Sequence, residues 1–263
     1  MRNRASRIVL GIIVLILFGV YSYLRSSSSP HSSDFDNPTA VTEVTAAPAE
    51  VQPIDAEPSP EVTEEPVETP EPTPELPQID IGSWEFILAN GDNSIAEYAP
   101  PELVTVEEQQ VDSRIAEALK NMAADARAQG LNVYLSSGYR SYSEQAANFV
   151  RVCQNNGVAD GKNAQGFYIT MPAGCSEHQT GLACDITDVY YPLKDASIEN
   201  TETFQYMSKH CQEFGFIVRF PKDKEQITGV MYEPFHYRYV GVEAATYIME
   251  HGLCLEEFLE LYK

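Results

Sequence analysis

Residues 8–24 carry no charge, and no other stretch of the chain is so continuously apolar. Seventeen residues are at the short end of what crosses a bilayer as a helix. Arg2, Arg4 and Arg7 precede the run and favour a cytoplasmic start. Its end, Tyr21-Ser22-Tyr23-Leu24-Arg25, lacks a small-residue cleavage pattern. The expectation is therefore a single-pass signal anchor over 1–25, holding the rest of the protein at the cell membrane on the extracytoplasmic side. From about residue 79 the pattern changes to short periodic segments. Residues 84–88 read as a strand. Over 114–129, Ile115, Ala118, Leu119, Met122 and Ala126 recur at the spacing of one helix face, with Gly130 as the stop. A strand at 131–136, a helix beginning at about 142–144 and a long loop over 155–176 follow. The pattern then predicts a strand at 182–187, a helix at 202–214 stopped by Gly215, a strand at 216–220, a turn through Pro221, Lys222 and Asp223, and a strand at 235–240. Helices at 242–251 and 255–261 come last. There is no regular βαβ period and no Gly-rich phosphate loop, so the fold class expected is α+β, a single mixed domain over 78–263.

Charge changes the picture mainly by its location. The chain of 263 residues has a formal charge of −22. Residues 26–113 hold twenty acidic residues and no Lys or Arg, whereas 114–263 hold nineteen acidic and thirteen basic ones. Within 26–77 lie eleven of the seventeen prolines and twelve acidic residues. Such a segment cannot bury a core and is expected to be a disordered stalk. At roughly 3.1 Å per residue it spans at most about 160 Å, enough to carry a domain from a membrane into a surrounding wall. Nothing here resembles a phosphate-binding surface, so nucleic acid is excluded as a partner, and the domain is expected to act as a monomer.

Five cysteines, Cys153, Cys175, Cys184, Cys211 and Cys254, suit an oxidising compartment, but their odd number leaves at least one unpaired within the chain. Their order allows Cys153–Cys175 and Cys211–Cys254 pairs, and it allows buried free thiols equally.

Two of the five histidines stand in unusual company. His178 precedes Asp185 by seven residues, across Gly181, and His236 follows Glu233 by three, across Pro234. Two imidazoles and one carboxylate suit Zn²⁺ with a position left for water. Glu233 is better cast as a general base than as a fourth ligand, because Pro234 disfavours a helical conformation there. His31, His210 and His251 fit ordinary stalk or helix-surface positions. Cys184 adjoins Asp185 on a predicted strand and should face the other way, while Cys175 is harder to set aside. Arg140, in Ser136-Ser137-Gly138-Tyr139-Arg140, suits either a substrate carboxylate and oxyanion or a plain surface ion pair. Gln145 and Ser176 are candidate hydrogen-bonding groups, with loop capping as the alternative.

These residues resemble the VanY-type D-alanyl-D-alanine carboxypeptidases, zinc peptidases of the hedgehog-like fold. The matching pieces are Ser137-Gly138-Tyr139-Arg140-Ser141, Ser176-Glu177-His178-Gln179-Thr180-Gly181-Leu182-Ala183 with Asp185, Gly215 to Pro221, Ile227-Thr228-Gly229, and Glu233-Pro234-Phe235-His236 continuing to Gly241. The resemblance implies a small antiparallel sheet carrying a zinc site with His178, Asp185 and His236 as ligands. It puts Glu233 and Arg140 in the catalytic positions and Ser176 and Gln145 near the substrate, a peptidoglycan stem peptide. Phe235 departs from the Trp of many members, and Cys184 stands where a small apolar residue is common. The activity implied is removal of the terminal D-alanine. An L,D-carboxypeptidase, a silent wall-binding module and a lytic endopeptidase are the alternatives.

Overall fold

The computed structural model describes residues 75–263, so the expected anchor helix and most of the stalk lie outside the described residues. Among the described residues no helix is long and apolar enough to cross a membrane. The expected strand at 84–88 is instead a turn of 3₁₀ helix, Trp84–Phe86. The carbonyls of Glu85 and Ile87 each accept a 2.8 Å bond from Arg238 Nη2, which replaces a strand partner. Trp84 stacks on the Tyr239 ring at 5.9 Å and meets the Arg114 guanidinium at 3.9 Å.

Strands β1 (Leu103–Val106) and β2 (Gln109–Asp112) pair as a tight hairpin that the pattern did not predict. Its turn, Glu107-Glu108, lacks the Asn-Gly or Asp-Gly signal, and Glu107 adopts φ 56°. Helix α1 (Ala116–Ala128) follows. It buries Ala116, Leu119, Met122, Ala123 and Ala126, one helical stripe, and Ala118 is only half-buried. Strand β3 (Tyr134–Ser137) leads into α2 (Tyr142–Asn156), which opens with a reciprocal Ser141–Glu144 capping box. The long connection to residue 176 contains only isolated bridges, Lys162 with Tyr168 and Tyr168 with Val230.

Strand β4 (Ala183–Thr187), helix α3 (Glu202–His210), strand β5 (Phe216–Phe220), the short α4 (Glu225–Thr228) and strand β6 (Glu233–Tyr239) come next. Helix α3 is shorter than expected, because Cys211–Phe214 tighten to 3₁₀ before Gly215 turns the chain. Helices α5 (Val242–Glu250) and α6 (Leu255–Glu260) complete the order. The main sheet runs β3-β4-β6-β5, with every pair antiparallel.

One core lies between the sheet, the hairpin, α1 and α3, with Ile115, Leu119, Met122, Phe216 and Tyr237 almost wholly buried. A second joins Phe86 and Ile217 to α5 and α6 through Ile248, Leu255 and Phe258. Each such side chain contributes roughly 1.5–3 kcal/mol by leaving water. All five cysteines are free and buried, so neither disulfide pairing forms. Cys211 and Cys254 instead fill apolar positions in the packing, at 0% and 1% exposure.

Candidate metal centre

Asp185 and His236 are opposite one another in the β4–β6 register, which puts their side chains side by side on one face of the sheet. His178 comes from the 3₁₀ turn Glu177–Thr180, which feeds β4 through Gly181 at φ 71°. A Cβ on Gly181 would sit 2.9 Å from the Asp112 backbone nitrogen, so this reversal requires glycine. His178 Nδ1 bonds the Gly138 carbonyl at 2.7 Å, and the Arg140 amide donates back to the His178 carbonyl at 3.1 Å. That bond makes Nδ1 the donor and leaves Nε2 as a free lone pair, 3.4 Å from Asp185 Oδ1. His236 Nδ1 is 3.0 Å from the same oxygen, and its Nε2 faces Glu177 Oε2 at 3.4 Å.

The three ligand atoms lie within 4.8 Å of one another. Donors about 2.0–2.1 Å from one tetrahedral ion are separated by about 3.3 Å, so the spacing of Asp185 Oδ1 from both imidazoles fits zinc. Burial, reinforced by the Arg140 charge, lowers the His178 pKa to about 4, so this imidazole is neutral and ready to coordinate. Burial opposes ionisation of Asp185, but Lys194 and the two histidines hold its carboxyl well below the usual range. Lys194 Nζ bonds Asp185 Oδ2 and lies 5.1 Å from the centre of the Phe235 ring. Burial also works against the charged form of His236, yet its bonds to Asp185 and Glu177 win and lift it to about 9.

Glu233 Oε2 is 3.8 Å from His236 Nδ1, although residues three apart on a regular strand face opposite ways. A register shift opposite Val218–Phe220 makes this approach: Tyr237 pairs with Val218 and Glu233 with Phe220, so β6 carries two extra residues there. Burial, with Asp185 nearby, raises Glu233 to about 7 against the opposing pull of His236, Lys194 and Arg140. Its side chain keeps 17% exposure towards solvent.

Arg140 Nε donates to Gln145 Oε1 at 2.8 Å and Nη1 to Ser137 Oγ at 3.1 Å. Gln145 donates in turn to the Met171 carbonyl at 2.5 Å, so its amide is occupied in holding Arg140. All seven residues singled out in the sequence border one cleft of about 500 Å³. Cys184 packs into the core behind Asp185, while Cys175 lines the cleft and stays outside the ligand cluster. His210 pairs with Glu213, and His251 bonds the Tyr247 carbonyl, both at the surface. Glu177, Lys194, Arg219 and Arg238 escaped the sequence reasoning. A signal existed for Arg219: a lone charge inside the apolar strand Phe216–Phe220 must be paired when buried.

By class, the fold and its cleft are those of a metal-dependent hydrolase. The sequence profile of the VanY family, D-alanyl-D-alanine carboxypeptidase, matches residues 108–242. The D-alanyl-D-alanine carboxypeptidase of Enterococcus faecalis (strain ATCC 700802 / V583) is 37% identical over 198 residues, covering 71% of this chain and 69% of that protein. Two solved structures share the fold. The LdcB LD-carboxypeptidase is 32% identical with TM-score 0.59, covering 71% of this chain and 93% of its own. A mutant of the vancomycin-resistance D,D-pentapeptidase VanY, in complex with Zn(II), is 37% identical with TM-score 0.57, covering 67% and 99%. The chain belongs to the VanY family of D-alanyl-D-alanine carboxypeptidases, and its cofactor is zinc.

Proposed function

We propose that this protein hydrolyses the terminal D-Ala-D-Ala bond of peptidoglycan stem peptides, releasing one D-alanine, with His178, Asp185 and His236 holding zinc. The ion, when bound, supplies Lewis acidity that polarises a carbonyl and acidifies water near neutral pH. Glu233 takes the proton of the attacking water and delivers it to the nitrogen of the departing D-alanine as the C–N bond breaks. Arg140, steadied by Gln145 and Ser137, directs its remaining N–H groups at the anionic oxygen of the transition state. The Ser176 hydroxyl, on the cleft wall, bonds the substrate's peptide groups.

The observation carrying this reading is the convergence of three donors within 4.8 Å beside an acid group that is not itself a ligand. Relatedness to both D,D- and L,D-acting enzymes makes removal of D-Ala from a tetrapeptide the second reading. Mass analysis of a synthetic pentapeptide and tetrapeptide, with and without chelator, separates them. Loss of one alanine from the pentapeptide, abolished by chelator, is expected. Release from the tetrapeptide alone moves the assignment to L,D, and no release by zinc-loaded protein leaves a wall-binding module. The protein works as a monomer, tethered through residues 8–24 with its catalytic domain outside the cytoplasm. The basic start and the uncharged run support this tether.

A further inference from the structure

Glu177 takes no part in the proposed reaction, yet it is 2% exposed and sits among the most heavily paired side chains of the molecule. Its Oε1 accepts from Arg219 Nε and Arg238 Nη1, each at 2.7 Å. Its Oε2 faces His236 Nε2 at 3.4 Å. Arg219 continues to Glu256 on α6 through bonds of 2.8 and 2.7 Å, and Arg238 is anchored on the carbonyls of Glu85 and Ile87. The four ionised groups sum to zero charge, which makes so deep a cluster tolerable. With one oxygen pinned by two guanidinium groups, the carboxylate cannot rotate, and its second oxygen has a fixed direction. An imidazole that donates Nε2–H to it must present Nδ1 as the lone pair, on the side where Asp185 and His178 lie.

We propose that Glu177, clamped by Arg219 and Arg238, is a positioning residue that fixes the tautomer and ring orientation of His236 and so sets the affinity of the site for zinc. Both guanidinium groups lie on Oε1, which leaves Oε2 to accept from His236 Nε2. The proposal rests on the zinc-hydrolase reading.

The test compares zinc dissociation constants by chelator competition in the full chain. Glu177→Gln keeps the side-chain volume and is expected to weaken zinc about 10–100-fold. With zinc saturating, its KM should stay at the wild-type value, since both Glu177 oxygens are engaged by Arg219, Arg238 and His236. Glu256→Gln, at the far end of the cluster, is expected to lower Tm and leave zinc affinity unchanged. A folded Glu177→Gln protein with wild-type affinity overturns the assignment, as does an equal loss in Glu256→Gln. Should Glu177→Gln fail to fold, nitrogen-15 NMR of the zinc-loaded wild type decides. A proton on His236 Nε2 upholds the proposal, and one on Nδ1 overturns it. Wild-type protein that binds no zinc sinks the hydrolase reading as well, and so is distinct from failure of the positioning role alone.

Discussion

Burial of Glu233 suits it to the proposed role of base, because a carboxyl removed from most of its water titrates near 7 and no longer in the usual carboxylate range. A base with that affinity for protons is matched to work near neutrality, and a bound cation would pull the value down. Glu233→Ala is expected to keep zinc and lose about 10²–10⁴-fold in turnover, measured as alanine release alongside metal content. Full activity in the variant would contradict the base assignment. His236 leads to a separate prediction. In the metal-free protein its pKa is raised from 6.5 to about 9, so the stabilisation from its ion pairs is complete below 6.5 and lost as pH rises through 9. Zinc competes with that proton. Apparent zinc affinity should therefore climb about tenfold per pH unit between about 8 and 9, above the Glu233 titration, and then level off, with one proton released per ion there. His178, already neutral above about 4, adds nothing in that window. Chelator competition across the pH range, and calorimetry in buffers of different ionisation enthalpy, would measure both. The cluster of His178, Asp185 and His236 was legible in the sequence because His-x₆-Asp and Glu-x-x-His are unusual company. Glu177 and Arg238 were not, since these two partners are 61 residues apart.

At the scale of elements, the periodic helices were read well and the short hairpin was not. Helix α1 announces itself through apolar residues on one stripe. Strands β1 and β2 have four residues each and an atypical Glu-Glu turn, so no local signal marks them. Yet the hairpin underlies the site: the Gln110 carbonyl accepts from the Tyr139 amide at 2.6 Å, beside the Gly138 carbonyl that orients His178. A Cβ at Gly138 would lie 2.3 Å from that Gln110 oxygen. Gly138→Ala is therefore expected to push hairpin and site loop apart, costing about 1–3 kcal/mol and weakening zinc. A thermal melt and the same chelator competition check it; an unshifted Tm would show that the loop yields without strain. The two-residue excess in β6 is equally local in effect and invisible in hydropathy, because a strand's apolar count does not reveal where its ladder slips.

For the whole molecule, the strongly unequal charge distribution and the uncharged run at 8–24 lead to a prediction about location. A charge in the middle of that run costs about 2.5–3.5 kcal/mol on insertion scales. Ile16→Arg is accordingly expected to move the protein from the membrane pellet into the soluble fraction on cell fractionation, with peptide hydrolysis by the 75–263 region unchanged. A wild-type protein found wholly soluble would refute the tether. By itself the sequence determined the α+β class, most helices, the strands that bear the ligands and the seven cleft residues. Those are encoded locally, in periodicity, capping and short spacings. Only the tertiary structure decided which oxygen and nitrogen atoms face one another, that the cysteines stay unpaired, and that Glu177 joins β5, β6 and α6 behind His236. Such pairings depend on strand register and on the closing of long loops, and the chain encodes both only through the sum of many distant contacts.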